Sequence, residues 1–351
     1  MKAITFEGIR KIKIAEVPEP RIQDSRDVII RVERGALCGS DMHVYNGRET
    51  GIDEGTVMGH EFTGTVMETG KEVSNFKQGD RVASPFTLNC GDCFYCKKGL
   101  SARCEKSRLF GWVENGIGLQ GVHTKYVRVP FGDSTLVKLP DEISWETGVL
   151  MGDNFPTGYF CAEMAEIKPD QTYIVIGVIG CGPIGLMTII STFLQGAENV
   201  FAVDLLQNRL KKAKQLGAIP INTNDKSWKE VVNEYTEGRG FDGVMEAVGS
   251  AATMKLAFDM VRPGGILASV GVQAYEQLPF NPPGLYDKNI TMKFGRCPAR
   301  SYMEKLIPLV QKEQLDLTTV ITHTFSLEEG VEAYRLFDEQ KDECIKVLLK
   351  P

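Results

Sequence analysis

Between Gln171 and Ala197 the chain carries no charged residue, yet it holds Gly177, Gly180, Gly182, Gly185 and Gly196, with Pro183 among them. A stretch this apolar passes the roughly 20-residue length of a membrane span, but glycine and proline at that density break a continuous helix. A buried strand, a tight glycine turn and a buried helix satisfy both the apolarity and the breaks. The run Tyr173-Ile-Val-Ile-Gly-Val-Ile-Gly180-Cys-Gly182-Pro183-Ile184-Gly185 has that form, entering Gly-x-Gly-x-x-Gly from a β-rich segment. Its first glycine allows the turn, its second lets backbone approach a pyrophosphate, and its third lets helix pack close to strand. The helix N-terminus then offers amides and a positive dipole to phosphates.

The next apolar run, Asn199–Val203, ends at Asp204, nineteen positions after Gly185. A carboxylate there accepts hydrogen bonds from ribose hydroxyls and repels a 2′-phosphate, so the expected cofactor is NAD rather than NADP. Helical patterns over Gln207–Leu216, Lys226–Thr236 and Ala251–Val261 alternate with strand patterns over Phe241–Val248 and Ile266–Val270. That alternation predicts a doubly wound parallel sheet over residues 157–295. Upstream, short β-rich runs such as Asp27–Glu33, Phe62–Glu68 and Arg81–Ser84 predict a mostly β domain. Downstream, Tyr302–Gln311 and Leu327–Phe337 read as helices and Cys344–Leu349 as a returning strand. The first domain is therefore discontinuous, spanning 1–156 and 296–351.

Cys90, Cys93, Cys96 and Cys104 lie within fifteen positions, the spacing of a closed tetrahedral zinc shell. A disulfide framework is disfavoured, because the first ten residues lack the pattern of a secretory signal and the cysteines number nine, an odd count. A closed Cys₄ shell leaves no place for substrate, so it marks a structural lobe at about residues 88–106. The remaining Cys161, Cys181, Cys297 and Cys344 are expected to pack as small apolar residues, with Cys181, inside the glycine turn, a candidate for oxidation sensitivity. The net charge of -6 argues against a nucleic-acid surface, which needs a basic face. The expected partners are small molecules, with neither nucleic acid nor membrane among them.

The order of Cys38-Gly-Ser-Asp-Met-His43, Gly59-His60-Glu61, Gly79-Asp80-Arg81-Val82, the Cys₄ run, Asp153-Asn-Phe-Pro-Thr-Gly158, the glycine turn and Asp204 resembles the zinc-dependent medium-chain alcohol dehydrogenases over essentially the whole chain. The resemblance implies a GroES-like, mostly β catalytic domain joined to a Rossmann doubly wound sheet. It implies two zinc ions per chain, a structural one in the lobe and a catalytic one on Cys38, His60 and Asp153, with Glu61 beside them as an outer or transient ligand. Three protein ligands leave the fourth position open for an alcohol oxygen. Asp153 departs from the animal liver enzymes, whose third ligand is cysteine, and matches some microbial branches.

The same resemblance gives the proton route to Ser40, through the cofactor ribose, and on to a surface His43. It places Gly180, Gly182, Pro183, Ile184, Gly185, Asp204, Arg209, Val248 and Val270 against NAD, with Lys346 near the pyrophosphate. Phe86 and Phe155 match substrate-pocket positions, and Phe110 and Trp112 are further candidates without motif support. The implied reaction is hydride transfer between NAD and a secondary alcohol, polyol or similar substrate, giving an aldehyde or ketone. Formaldehyde and threonine-type dehydrogenases of the family are the alternatives, together with a zinc-binding relative that has lost catalysis. A homodimer or homotetramer in the cytoplasm is expected.

Overall fold

The strand Val28–Leu37, buried along most of its length, pairs antiparallel with Glu61–Thr69, Tyr126–Val129 and Lys346–Lys350. β-branched residues fill its first half, where Val28, Ile30 and Val32 join Phe62, Val66, Val82, Phe110 and Val127 in one apolar core. In this computed structural model, which describes residues 1–167, 175–273, 275–339 and 343–351, those strands belong to a seven-stranded sheet. Its order is Ile321–Ser326, Lys346–Lys350, Val28–Leu37, Glu61–Thr69, Arg81–Ser84, Val137–Lys138, with Tyr126–Val129 laid on Val28–Leu37. The sheet lies in a unit formed by Met1–Pro156 and Pro298–Pro351.

The C-terminal strand Lys346–Lys350 bonds parallel to Ile321–Ser326 on one side and antiparallel to Val28–Leu37 on the other. Residues at the end of the chain are thereby threaded into the same sheet as residues near its start, which brings Lys346 beside Glu61.

The second unit, Thr157–Cys297, is built on six parallel strands in the order Ile219–Asn222, Asn199–Asp204, Val175–Ile179, Phe241–Glu246, Val261–Ser269, Thr291–Phe294. The sequence reverses direction across the sheet between Val175–Ile179 and Phe241–Glu246. That is the crevice in which doubly wound sheets hold dinucleotides. Residues 168–174, including Tyr173 and Ile174 of the expected strand, lie outside the described residues. The strand Val175–Ile179, the turn and the helix Pro183–Leu194 come next along the chain. Among the described residues no helix is long and apolar enough to cross a membrane.

Several expected boundaries moved. The helix from Ala251 ends at Met260 rather than Val261, and the following strand begins at Val261, running through Pro263-Gly264-Gly265 to Ser269. Pro263 is tolerated there because the pairing with Phe241–Glu246 is irregular at that point. The helix expected at Tyr302–Gln311 is longer, Ala299–Lys312.

Candidate active site and metal clusters

Cys38 follows the strand Val28–Leu37 and caps the helix Gly39–Tyr45, His60 precedes and Glu61 opens the strand Glu61–Thr69, and Asp153 lies in the turn before the helix Asn154–Met164. Their donor atoms all lie within 4.8 Å of one another. Asp153 Oδ2 is 3.8 Å from both Cys38 Sγ and His60 Nε2. Zinc bonds of about 2.0–2.3 Å make tetrahedral edges of about 3.3–3.8 Å, so these three donors stand close to the spacing of a zinc shell.

Asp41, in the first turn of the helix after Cys38, orients the cluster from behind. Its Oδ2 accepts the Cys38 backbone N–H at 2.8 Å and its Oδ1 lies 3.3 Å from His60 Nδ1, which turns Nε2 toward the other donors. Burial resists charge on both groups, but each outweighs it for the other. His60 is raised well above the usual imidazole value by Asp41, and Asp41 is held below the usual carboxylate range by His60. Burial also pushes the Cys38 thiol up, against which a bound cation works directly. The field around these donors favours positive charge.

Glu61 is fully buried, and both its oxygens are engaged: Oε1 accepts from Asn154 Nδ2 at 3.1 Å and Oε2 from Lys346 Nζ at 2.5 Å. Burial disfavours the cation, yet the Glu61 carboxylate keeps the Lys346 ammonium above its ordinary value. Lys346 therefore departs from its expected place. It is completely enclosed, with its charge committed to Glu61 rather than offered to a pyrophosphate.

The Cys₄ run folds as a short helix, Phe94–Lys97, and a 3₁₀ turn, Ser101–Arg103, that bring Sγ of Cys90, Cys93, Cys96 and Cys104 within 4.8 Å of one another. Backbone amides support it: the Cys90 N–H donates to Cys104 Sγ at 3.3 Å, and those of Cys96 and Glu105 lower the Cys93 thiol to about 6. No disulfide joins any of the nine cysteines.

In the second unit Gly180 has φ +90°, and a Cβ on Gly185 would meet the Gly180 carbonyl oxygen at 1.6 Å, so both positions require glycine. At Gly182 a Cβ would meet only Arg209 Nη1, at 3.6 Å. That face of the turn is open for a phosphate at the N-terminus of Pro183–Leu194. Asp204 accepts the N–H groups of Cys181, Leu205 and Leu206 at 2.7, 2.7 and 2.9 Å. Three bonds leave a carboxylate one lone-pair direction for a ribose hydroxyl. The residues present fit a dinucleotide.

Residues 24–141 match the family described as Alcohol dehydrogenase GroES-like domain, and residues 183–312 the family described as Zinc-binding dehydrogenase. Zinc-type alcohol dehydrogenase B of Aspergillus flavus is 41% identical over 358 residues, spanning 100% of this chain and 81% of the relative. The chain belongs to the zinc-dependent medium-chain alcohol dehydrogenase family. The solved alcohol dehydrogenase TADH from Thermus sp. ATN1 superposes with a TM-score of 0.93 at 36% identity, covering 100% of this chain and 99% of that one. Sorbitol dehydrogenase of Bacillus subtilis is 30% identical, covering 100% of this chain and 97% of the relative.

The fold distributes the other expected residues of this alcohol dehydrogenase between the site and the core. Ser40 Oγ lies 3.2 Å from His60 Nε2, inside the cluster. His43, expected at the surface, is half-buried, its Nδ1 enclosed without a hydrogen-bond partner. Phe155 is fully buried and Phe86 nearly so. Phe110 is core, meeting Phe62 edge-on at 5.5 Å, and Trp112 packs at the edge of the cluster around Tyr334. Pro183, Ile184 and Val270 are partly exposed and Val248 is 44% exposed. Cys181 is fully buried, which raises its thiol and removes it as an oxidation target. Asp41 and Asn154 support the donors without having been expected to, and the pairing of Glu61 with Lys346 was not expected either. Only the Asp three positions after Cys38, at the N3 site of a helix, carried a signal that could have found one of them.

Proposed function

We propose that this alcohol oxidoreductase transfers hydride between NAD and a secondary alcohol or polyol, with Cys38, His60 and Asp153 as the protein ligands of the catalytic zinc. The observation that carries the reading is the convergence of those three donors, oriented by Asp41, with the Ser40 hydroxyl 3.2 Å from His60 Nε2. Asp204 at the end of the second strand favours NAD over NADP. Similarity to a sorbitol dehydrogenase supports the polyol side of the substrate range. Each donor cluster takes one zinc ion.

Zinc held by these donors would supply Lewis acidity to a hydroxyl oxygen, and bound NAD would supply the hydride acceptor. The protein's own part is positioning and proton transfer. Cys38 and Asp153 contribute anionic donors, and Asp41 fixes the His60 ring so that Nε2 is the ligand atom. Lys346 and Asn154 hold the neighbouring Glu61 carboxylate by both oxygens. Ser40 Oγ can receive the substrate's hydroxyl proton and donate its own onward. His43, on the next turn of the same helix, is the base at the end of that route, and burial lowers its pKa so that it stays neutral and receptive.

The test is a panel of primary, secondary, polyol and amino-alcohol substrates with NAD and with NADP, followed by reduced-nicotinamide absorbance. Turnover of secondary alcohols or polyols with NAD is expected. A clear NADP preference overturns the Asp204 argument, and inertness toward every alcohol and carbonyl overturns the functional reading.

A further inference from the structure

One buried side chain of the second unit that the motifs do not mention accepts five hydrogen bonds. Glu246 is the last residue of the strand Phe241–Glu246 and is completely buried. Its Oε1 accepts from the backbone N–H of Val248 at 2.9 Å, the N–H of Gly249 at 2.7 Å and Thr253 Oγ1 at 2.8 Å. Its Oε2 accepts from Ser269 Oγ at 2.8 Å and Gln273 Nε2 at 3.2 Å. The first three donors belong to the exit of its own strand and the start of the helix Ala251–Met260. The other two belong to the exit of the neighbouring strand Val261–Ser269.

One carboxylate thus closes two loops onto each other. The Glu246 backbone carbonyl adds the N–H of Val270 at 3.1 Å. The loops touch: a Cβ on Gly249 would meet the Val272 carbonyl oxygen at 2.2 Å, and one on Gly271 would meet Gly249 N at 2.2 Å. At their tips Val248 and Val272 stand 44% and 43% exposed. Val248 also packs over the glycine turn, since a Cβ on Gly180 would meet Val248 Cγ2 at 2.3 Å. The clasp therefore holds exposed apolar side chains at the mouth of the crevice.

A doubly wound sheet binds a dinucleotide with one mononucleotide on each half. The glycine turn and Asp204 come after the strands Val175–Ile179 and Asn199–Asp204, so they occupy the adenosine half. The other half is the one whose strand exits Glu246 joins. We propose that Glu246 is a positioning residue for the nicotinamide half of the cofactor, its carboxylate clasping the two strand exits that form the seat for that half. This rests on the NAD reading above.

The test compares binding of NADH and of ADP-ribose, which lacks the nicotinamide, to zinc-loaded wild type and Glu246→Gln by titration calorimetry. The amide puts an N–H against donors on one side, so one loop is released while volume is kept. The expected result is NADH affinity weakened about tenfold or more, with ADP-ribose within about twofold. KM for NAD should rise by a similar factor while kcat at saturating NAD falls much less. Equal weakening of both ligands, or of neither, overturns the proposal. Should Glu246→Gln fail to fold, Ser269→Ala carries the same comparison, with an expected NADH-selective loss of about threefold and the same overturning outcomes. Wild type that binds neither ligand overturns the NAD reading itself, a result distinct from any change in the variants.

Discussion

Cys90, Cys93, Cys96 and Cys104 come from one stretch of fifteen residues, whereas Cys38, His60, Glu61 and Asp153 are gathered from a strand end, a strand start and a turn before a helix. The lobe is held in shape by its own backbone N–H groups. The gathered site is held by other side chains, Asp41, Asn154 and Lys346, each itself buried and paired. A local cluster depends on little beyond its own turns. A gathered one depends on interior charges that the whole sheet must bring together.

The sharpest way to break that contrast is to remove one donor from each cluster. Cys38→Ser is expected to lower kcat/KM by about a thousandfold or more and to lose one zinc by metal analysis while the lobe keeps its own. Cys93→Ser should instead lower the melting temperature and lose the other zinc. If both variants lose both ions, the clusters are not independent. Next in size is Lys346→Met, which strands the Glu61 carboxylate in the interior and should cost about 3–5 kcal/mol in denaturant unfolding. Adding Glu61→Leu should recover most of that loss, and an unchanged midpoint in the single variant would show that the pair is not supporting the site.

Asp41→Asn keeps the shape but weakens the hold on His60, and should reduce catalytic-site zinc affinity by about 10–100-fold in chelator competition, leaving the lobe ion untouched. Asp204→Ser should shift the NAD-to-NADP preference by about tenfold with the zinc content of both clusters unchanged, which separates cofactor choice from metal binding. The smallest effect is expected at His43. Because burial lowers its pKa, the imidazole stays unprotonated to pH values below its ordinary midpoint and continues to accept a proton there. His43→Ala should therefore slow turnover a few-fold, most at neutral to mildly acid pH, with partial rescue by an added base. A pH profile identical to wild type would remove His43 from the route.

The parts of the molecule legible in the chain were those whose cause is local. The glycine turn is one, because Gly180 and Gly185 answer to a positive φ and a 1.6 Å approach that no other residue survives. The Cys₄ lobe is another, since its ligands are neighbours. Cys38, His60 and Asp153 became a set only through the family resemblance. Lys346 shows the limit most clearly. The family resemblance set it near the cofactor pyrophosphate, and only the insertion of Lys346–Lys350 beside Val28–Leu37 shows it enclosed against Glu61.

Sequence alone determined the alternation that makes the second unit a parallel sheet, the glycines of its turn, and the spacing of the lobe, because periodicity, backbone conformation and short-range ligand geometry act over a few residues. Tertiary structure decided which distant groups share a dry interior: Asp41 with His60, Lys346 with Glu61, and Glu246 with the exits of two strands. Those pairings depend on strand register and burial. A buried carboxylate must find donors wherever the fold supplies them, and no spacing rule along the chain records where that will be.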